Sequence, residues 1–158
     1  MGIYEFFRIS RPAPFQVQEQ EIEPTYRKVR RSTFVGVTAG YSLYYVCRMS
    51  LSVVKQPLID GDVLTAGELG LIGSGLLLIY AFGKFINGFI ADYCNIRRFM
   101  GTGLLLSSVI NLIIAILGIS TEYISHSALF VSSLLLWGAN GWFQSMGPAP
   151  GVISLSRW

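Results

Sequence analysis

Charge is scarce in this 158-residue chain. Asp, Glu, Lys and Arg together make up 13% of it, about half the ~25% usual in soluble domains, too little to cover a water-facing surface. Histidine is scarcer still: His126 stands alone, which leaves too little material for a zinc cluster or a Ser-His-Asp triad. Of the two cysteines, Cys47 lies in an apolar run and Cys94 in a basic stretch. Neither has an evident partner, so a disulfide scaffold is excluded. The net charge is +3 and the isoelectric point near 9.0, yet no basic stripe interleaved with polar residues occurs, which argues against nucleic acid. No pair of acids, nucleophile with base, or metal cluster lies together. Neither an enzyme nor a cofactor is expected.

Apolar residues are what the chain has in quantity. They reach 52%, the mean hydropathy is +0.52, and the 17 glycines fit membrane helices better than soluble ones. Residues 1–32 read as a polar tail, broken by Pro12, Pro14 and Pro24 and ending in Arg27-Lys28-Val29-Arg30-Arg31. Four apolar segments follow: Thr33–Val54, Glu68–Ala91, Phe99–Ile119 and Ala128–Ile153. Each meets the ~20 residues needed to cross a hydrocarbon core of about 30 Å. Loop punctuation separates them, with Pro57 and Asp60-Gly61-Asp62 first, then Asn95-Ile96-Arg97-Arg98, then Thr121-Glu122-Tyr123. The expected fold is all-α, with four transmembrane helices spanning residues 33–158.

Loop charge gives the orientation. Arg8, Arg11, Arg27, Lys28, Arg30, Arg31, Arg97, Arg98 and Arg157 fall on one side, nine of the 12 basic residues. The opposite loops hold Lys55 beside Asp60, Asp62, Glu68 and Glu122. Positive charge stays on the cytoplasmic face, so both ends are expected in the cytoplasm of a multi-pass protein of the cell membrane.

Arg48 and Lys84 remain, inside the first and second spans. A charge near a span centre costs roughly 2.5–3.5 kcal/mol on insertion scales and therefore faces protein or a water-filled cavity. Tyr41, Tyr44 and Arg48 share one helix face, as do Tyr80, Lys84, Asn87 and Gly88. Asn140 and Gln144 lie one turn apart in the fourth span. Cations, phenols and amides without a deep carboxylate fit an anion. Arginine's planar fork matches phosphate oxygens in pairs, while lysine supplies a point charge. Blander roles stay open: Arg48 and Lys84 snorkelling to an interface, the tyrosines forming an interfacial belt, and Asn140 with Gln144 acting as interhelical glue. Gly36-x-x-x-Gly40 and Gly147-x-x-x-Gly151 mark close helix packing, and Pro148 with Pro150 should bend or end the fourth helix.

These residues carry a resemblance. Gly40-Tyr41-Ser42-Leu43-Tyr44-Tyr45-Val46-Cys47-Arg48, Tyr80-Ala81-Phe82-Gly83-Lys84-Phe85 and Gly141-Trp142-Phe143-Gln144-Ser145-Met146-Gly147 resemble the amino-terminal third of the organophosphate–phosphate antiporters of the major facilitator superfamily. The resemblance runs from about Glu23 to Trp158. It implies that Arg48 binds substrate phosphate and that Lys84 lies near that site. Gly88-x-x-x-Asp92 with Arg97 resembles the superfamily's loop between helices two and three, which implies a conformational latch. Three departures stand out: Met49 in place of a common lysine, Tyr93 in place of a common arginine, and Pro148-Ala149-Pro150 in place of a Trp-Pro stretch. The family has twelve helices, so the resemblance implies that the remaining carboxy-terminal helices complete the site. The implied activity is exchange of a sugar phosphate or glycerol 3-phosphate for inorganic phosphate across the bilayer. A sugar-phosphate sensor and a non-transporting truncated membrane protein are the alternatives.

Overall fold

The computed structural model describes residues 2–10 and 17–156; the basic residues Arg11 and Arg157, and Pro12 and Pro14, lie outside them. Among the described residues six helices occur in the order α1 (Ile3–Phe7), α2 (Glu19–Asp60), α3 (Ala66–Tyr93), α4 (Ile96–Ile119), α5 (His126–Gln144) and α6 (Pro148–Ser156). A short 3₁₀ turn at Thr121–Tyr123 links α4 to α5. Among the described residues there is no strand, only an isolated antiparallel bridge between Arg8 and Cys94.

Local chemistry sets most of the helix ends. Thr65 and Glu68 form a reciprocal capping box at the start of α3, satisfying two of the orphan amides of its first turn. Asn95 accepts from the Arg98 amide at 3.1 Å to open α4, and Ser125 accepts from the Ala128 amide at 3.4 Å to open α5. The second and third expected segments match α3 and α4 within three residues. The first does not: α2 starts 14 residues before Thr33 and continues through Pro57 to Asp60. Acidic residues in its first turn favour the helix dipole, and Glu23 pairs with Arg27 one turn on at 2.7 Å. Pro57 sits in the last turn, where its missing N–H forfeits a single rung. The chain then turns sharply: the amides of Gly61 and Val63 bond the Pro57 and Leu58 carbonyls at 3.0 Å, and Asp62 takes φ 52°, a conformation Asp tolerates better than most residues.

The fourth expected segment is two helices rather than one. It breaks at Ser145–Gly147, where the Met146 amide reaches back to the Phe143 carbonyl at 3.1 Å, and Pro148 opens α6. Proline is well placed in a first turn, whose amides lack helical partners anyway.

Packing centres on α3 against α5. Leu64, Leu69, Ile72, Leu76, Leu129 and Trp137 form one buried cluster, and Ala91, Phe99 and Met146 a second. At Gly141 a Cβ would collide with the Leu76 carbonyl, so the two backbones touch only because this residue has no side chain. The outer surface is the reverse of a soluble protein's. Leu77, Phe82, Phe85, Leu105 and Leu112 are all at least 60% exposed, while Asn87, Ser107, Asn140 and Gln144 are buried. By length and composition two helices among the described residues, α3 and α4, are long and apolar enough to cross a membrane.

Candidate functional site

Helical spacing brings Tyr41, Tyr45 and Arg48 onto one face of α2. The Tyr41 and Tyr45 rings meet edge to face at 5.4 Å. The Arg48 guanidinium lies 5.6 Å from the Tyr45 ring centre and 4.2 Å from that of Tyr80 on α3. A planar cation over an aromatic face is stabilised by the ring quadrupole, by about 0.5–2 kcal/mol. Arg48 is half-buried and makes no ion pair among the described residues. Its Nε is buried without a hydrogen-bond partner. Two rings thus steady the guanidinium while its donor capacity goes unspent.

One turn from Tyr80, Lys84 is exposed on the wall of an open cavity of about 930 Å³ between α2, α3 and α6. Tyr41, Ser42, Gly88, Asp92 and Pro148 share that wall. The cavity is mainly apolar, with Lys84, Asp92, the Tyr41 phenol and the Thr38 and Ser42 hydroxyls as its polar features. Asp92 and Arg97 are both exposed and line a second cavity of about 620 Å³ beside Asn95 and Arg98.

Other expected site residues point elsewhere. Tyr44 is 2% exposed, and its hydroxyl donates to the Met100 carbonyl of α4 at 2.8 Å. Asn140 and Gln144 are fully buried and joined by one hydroxyl: Ser107 Oγ donates to Asn140 Oδ1 at 2.6 Å and accepts from Gln144 Nε2 at 2.9 Å. The network runs on through Asn111, which donates to the Ser107 carbonyl at 2.9 Å and accepts from Ser50 of α2 at 2.5 Å. Here the amides tie α2, α4 and α5 together, one of the two roles the sequence left open. Asn140 Nδ2 and Gln144 Oε1 keep unused capacity.

Tyr45, which the sequence groups with Tyr41 and Tyr44 as a cavity-lining or interfacial tyrosine without singling it out, joins this aromatic cluster. It stands four residues after Tyr41 and three before Arg48, within about 60° of both around the helix, as Tyr44 also is, so spacing alone does not choose between them.

The amino-terminal segment packs on the loop between α3 and α4. The Asn95 amide donates to the Phe7 carbonyl at 2.7 Å, Asn95 Nδ2 to Ser10 Oγ at 2.8 Å, and Arg98 to the Phe6 carbonyl at 2.8 Å. Phe7 stacks edge-on against Phe99 at 6.2 Å. Below the loop, Asn87 donates to Ser145 Oγ at 2.6 Å, joining α3 to the break between α5 and α6.

No family model matches the chain. Among curated proteins it is 32% identical over 152 residues to the glycerol-3-phosphate transporter of Bacillus subtilis, covering 95% of this chain and 33% of that protein. It is 34% identical over 137 residues to a probable hexose phosphate transport protein of Chlamydia trachomatis, covering 87% of this chain and 28% of the relative. The membrane sensor protein UhpC of Salmonella typhimurium is 29% identical over 153 residues, covering 97% and 32%. The chain spans about a third of the length of the curated relatives it matches.

Proposed function

Starting from a chain homologous to glycerol-3-phosphate and hexose phosphate transport proteins, we propose that it forms the amino-terminal part of an organophosphate–phosphate exchanger. In this reading α2, α3, α4 and the α5–α6 pair are four spans of a major facilitator fold in the cell membrane, with both ends in the cytoplasm. The remaining helices of the transporter complete the site and supply the half against which this one rocks, since alternating access needs two halves around a midplane site.

The observation that carries the reading is Arg48: a half-buried guanidinium, flanked by two tyrosine rings, without a carboxylate partner among the described residues. Arg48 binds the phosphate of the substrate through paired hydrogen bonds. Tyr41, Tyr45 and Tyr80 frame it, and Lys84 attracts the anion from the cavity. Tyr44, Asn140 and Gln144 act from behind, fixing α2, α4 and α5 so that Arg48 keeps its place. Gly88, Asp92 and Arg97 form the latch between the two halves. The 29% identity to a membrane sensor favours a second reading, in which the same site binds a sugar phosphate and signals.

The test is a chimera that joins this chain to the remaining two thirds of the Bacillus subtilis transporter. Vesicles holding it should exchange internal inorganic phosphate for external glycerol 3-phosphate or a hexose phosphate. Binding of the organophosphate without exchange would favour the sensor. Absence of both, with the protein inserted and folded, would overturn the proposal.

A further inference from the structure

Arg27, Arg30, Arg31 and Phe34 recur at helical spacing and share one face of α2. Together with Thr33 and with Leu155 of α6, they line a separate cleft of about 360 Å³. The two helices lie side by side there; a Cβ on Gly151 would come within 3.6 Å of Val37. Among the described residues no acidic side chain lines the cleft. Glu23 is paired with Arg27 one turn away, and Arg30 and Arg31 make no ion pair among the described residues. The apolar end is open as well, with Phe34 57% and Leu155 45% exposed. The cleft therefore has a cationic upper part and an apolar lower part, at the level where α2 passes from its charged segment into its apolar one.

We propose that this cleft binds an anionic phospholipid, its phosphate on Arg30 and Arg31 and the start of an acyl chain against Phe34 and Leu155. The assignment rests on the membrane reading above. Inorganic phosphate would satisfy the arginines but leave the apolar part uncovered; a zwitterionic lipid would bring its own cation to the guanidinium groups. Anionic headgroups attract each nearby Lys or Arg with enough energy for about a fivefold gain in binding.

The test uses the full chain in uncharged detergent, with equilibrium binding of short-chain phosphatidylglycerol, phosphatidylcholine and inorganic phosphate. Phosphatidylglycerol should bind most tightly, and Arg31→Gln should weaken it about fivefold. Lys28→Gln removes the same charge one residue off this face and should change little. Phe34→Ala with Leu155→Ala should weaken the lipid and leave phosphate unaffected. Circular dichroism and size-exclusion profiles confirm that each variant is folded. Equal losses for Arg31→Gln and Lys28→Gln would reduce the cleft to diffuse attraction and overturn the site. Full displacement of the lipid by phosphate, with the apolar double variant unchanged, would make it a free-anion site and overturn the lipid assignment. Flotation with zwitterionic vesicles separates this from the transporter reading. A chain that floats but shows no headgroup selectivity removes this inference alone, whereas one that fails to float removes the membrane reading and this inference with it.

Discussion

The Arg48 guanidinium carbon on α2 lies 4.2 Å from the centre of the Tyr80 ring on α3. This contact joins a cation and an aromatic face across two helices. It holds the arginine without neutralising it, which an ion pair would do. Charge and geometry are thus controlled by different residues, and substitutions can separate them.

In the chimera, Arg48→Lys should abolish most exchange despite keeping the charge, because lysine lacks the planar fork. Tyr80→Leu should raise the KM for organophosphate by about threefold to tenfold, the equivalent of a cation–π contact of roughly 0.5–1.5 kcal/mol. Tyr80→Phe, which keeps the ring, should stay near wild type. Equal losses in Tyr80→Leu and Tyr80→Phe would point to the hydroxyl instead of the ring face.

Ser107→Ala should destabilise the helix bundle by about 2–4 kcal/mol. It removes a partner from both Asn140 and Gln144, and a buried polar group left unpaired costs about 1–3 kcal/mol. Tyr44→Phe breaks a single bond to a carbonyl and should cost only about 0.5–1.5 kcal/mol. Thermal or denaturant unfolding in detergent, followed by circular dichroism, measures both.

Gly141→Ala should cost about 1–3 kcal/mol by overpacking, since the new methyl would press on the Leu76 carbonyl. Gly73→Ala and Gly101→Ala meet nothing within 4 Å. They should be neutral or gain up to about 1 kcal/mol from helix propensity. The same unfolding measurement ranks the three. A neutral Gly141→Ala would show that α3 and α5 are not in backbone contact.

Cys94 reports on the amino-terminal segment. Burial pushes its thiol up, because the thiolate would lose hydration, so alkylation at a given pH should be slower than for an exposed thiol. Phe7 packs in the same cluster as Cys94; Phe7→Ala should speed the reaction and lower the pH at which it becomes fast. The sign for stability follows. The unfolded chain ionises Cys94 at its ordinary value, so the contribution of this thiol is complete below that pH and is lost as pH rises towards the raised value. A Cys47→Ser background isolates the signal.

The sequence made the helices easier to read than their facing. The two that pass the length-and-apolarity test, α3 and α4, were placed within three residues of their observed ends, because caps and apolar content coincide there. Pro57 misled because proline is disruptive inside a helix but tolerable in a last turn, and nothing local distinguishes the two. Pro148 and Pro150 signal that the fourth segment bends or ends near Ser145–Gly147, but an apolar run does not show that the chain resumes as a second helix. Arg48 was legible from the cost of burying charge. The choice between Tyr44 and Tyr45 was not. Adjacent residues differ by about 100° around a helix, and only the position of α4 decides which of them turns inward, to Met100 in the case of Tyr44.

At 42 residues, α2 is about 63 Å long, roughly twice the thickness of a hydrocarbon core. Arg30 and Arg48 are separated by five full turns, so they point to the same side of one rod about 27 Å apart. A rod of this kind is a lever. Tilting it by about 10° around Arg48 would sweep Arg30 through about 5 Å, and holding Arg30 still would resist that tilt with the same mechanical advantage. Whatever grips the outer end of α2 therefore acts on the orientation of the guanidinium at its middle, with no contact between the two places beyond the helix itself.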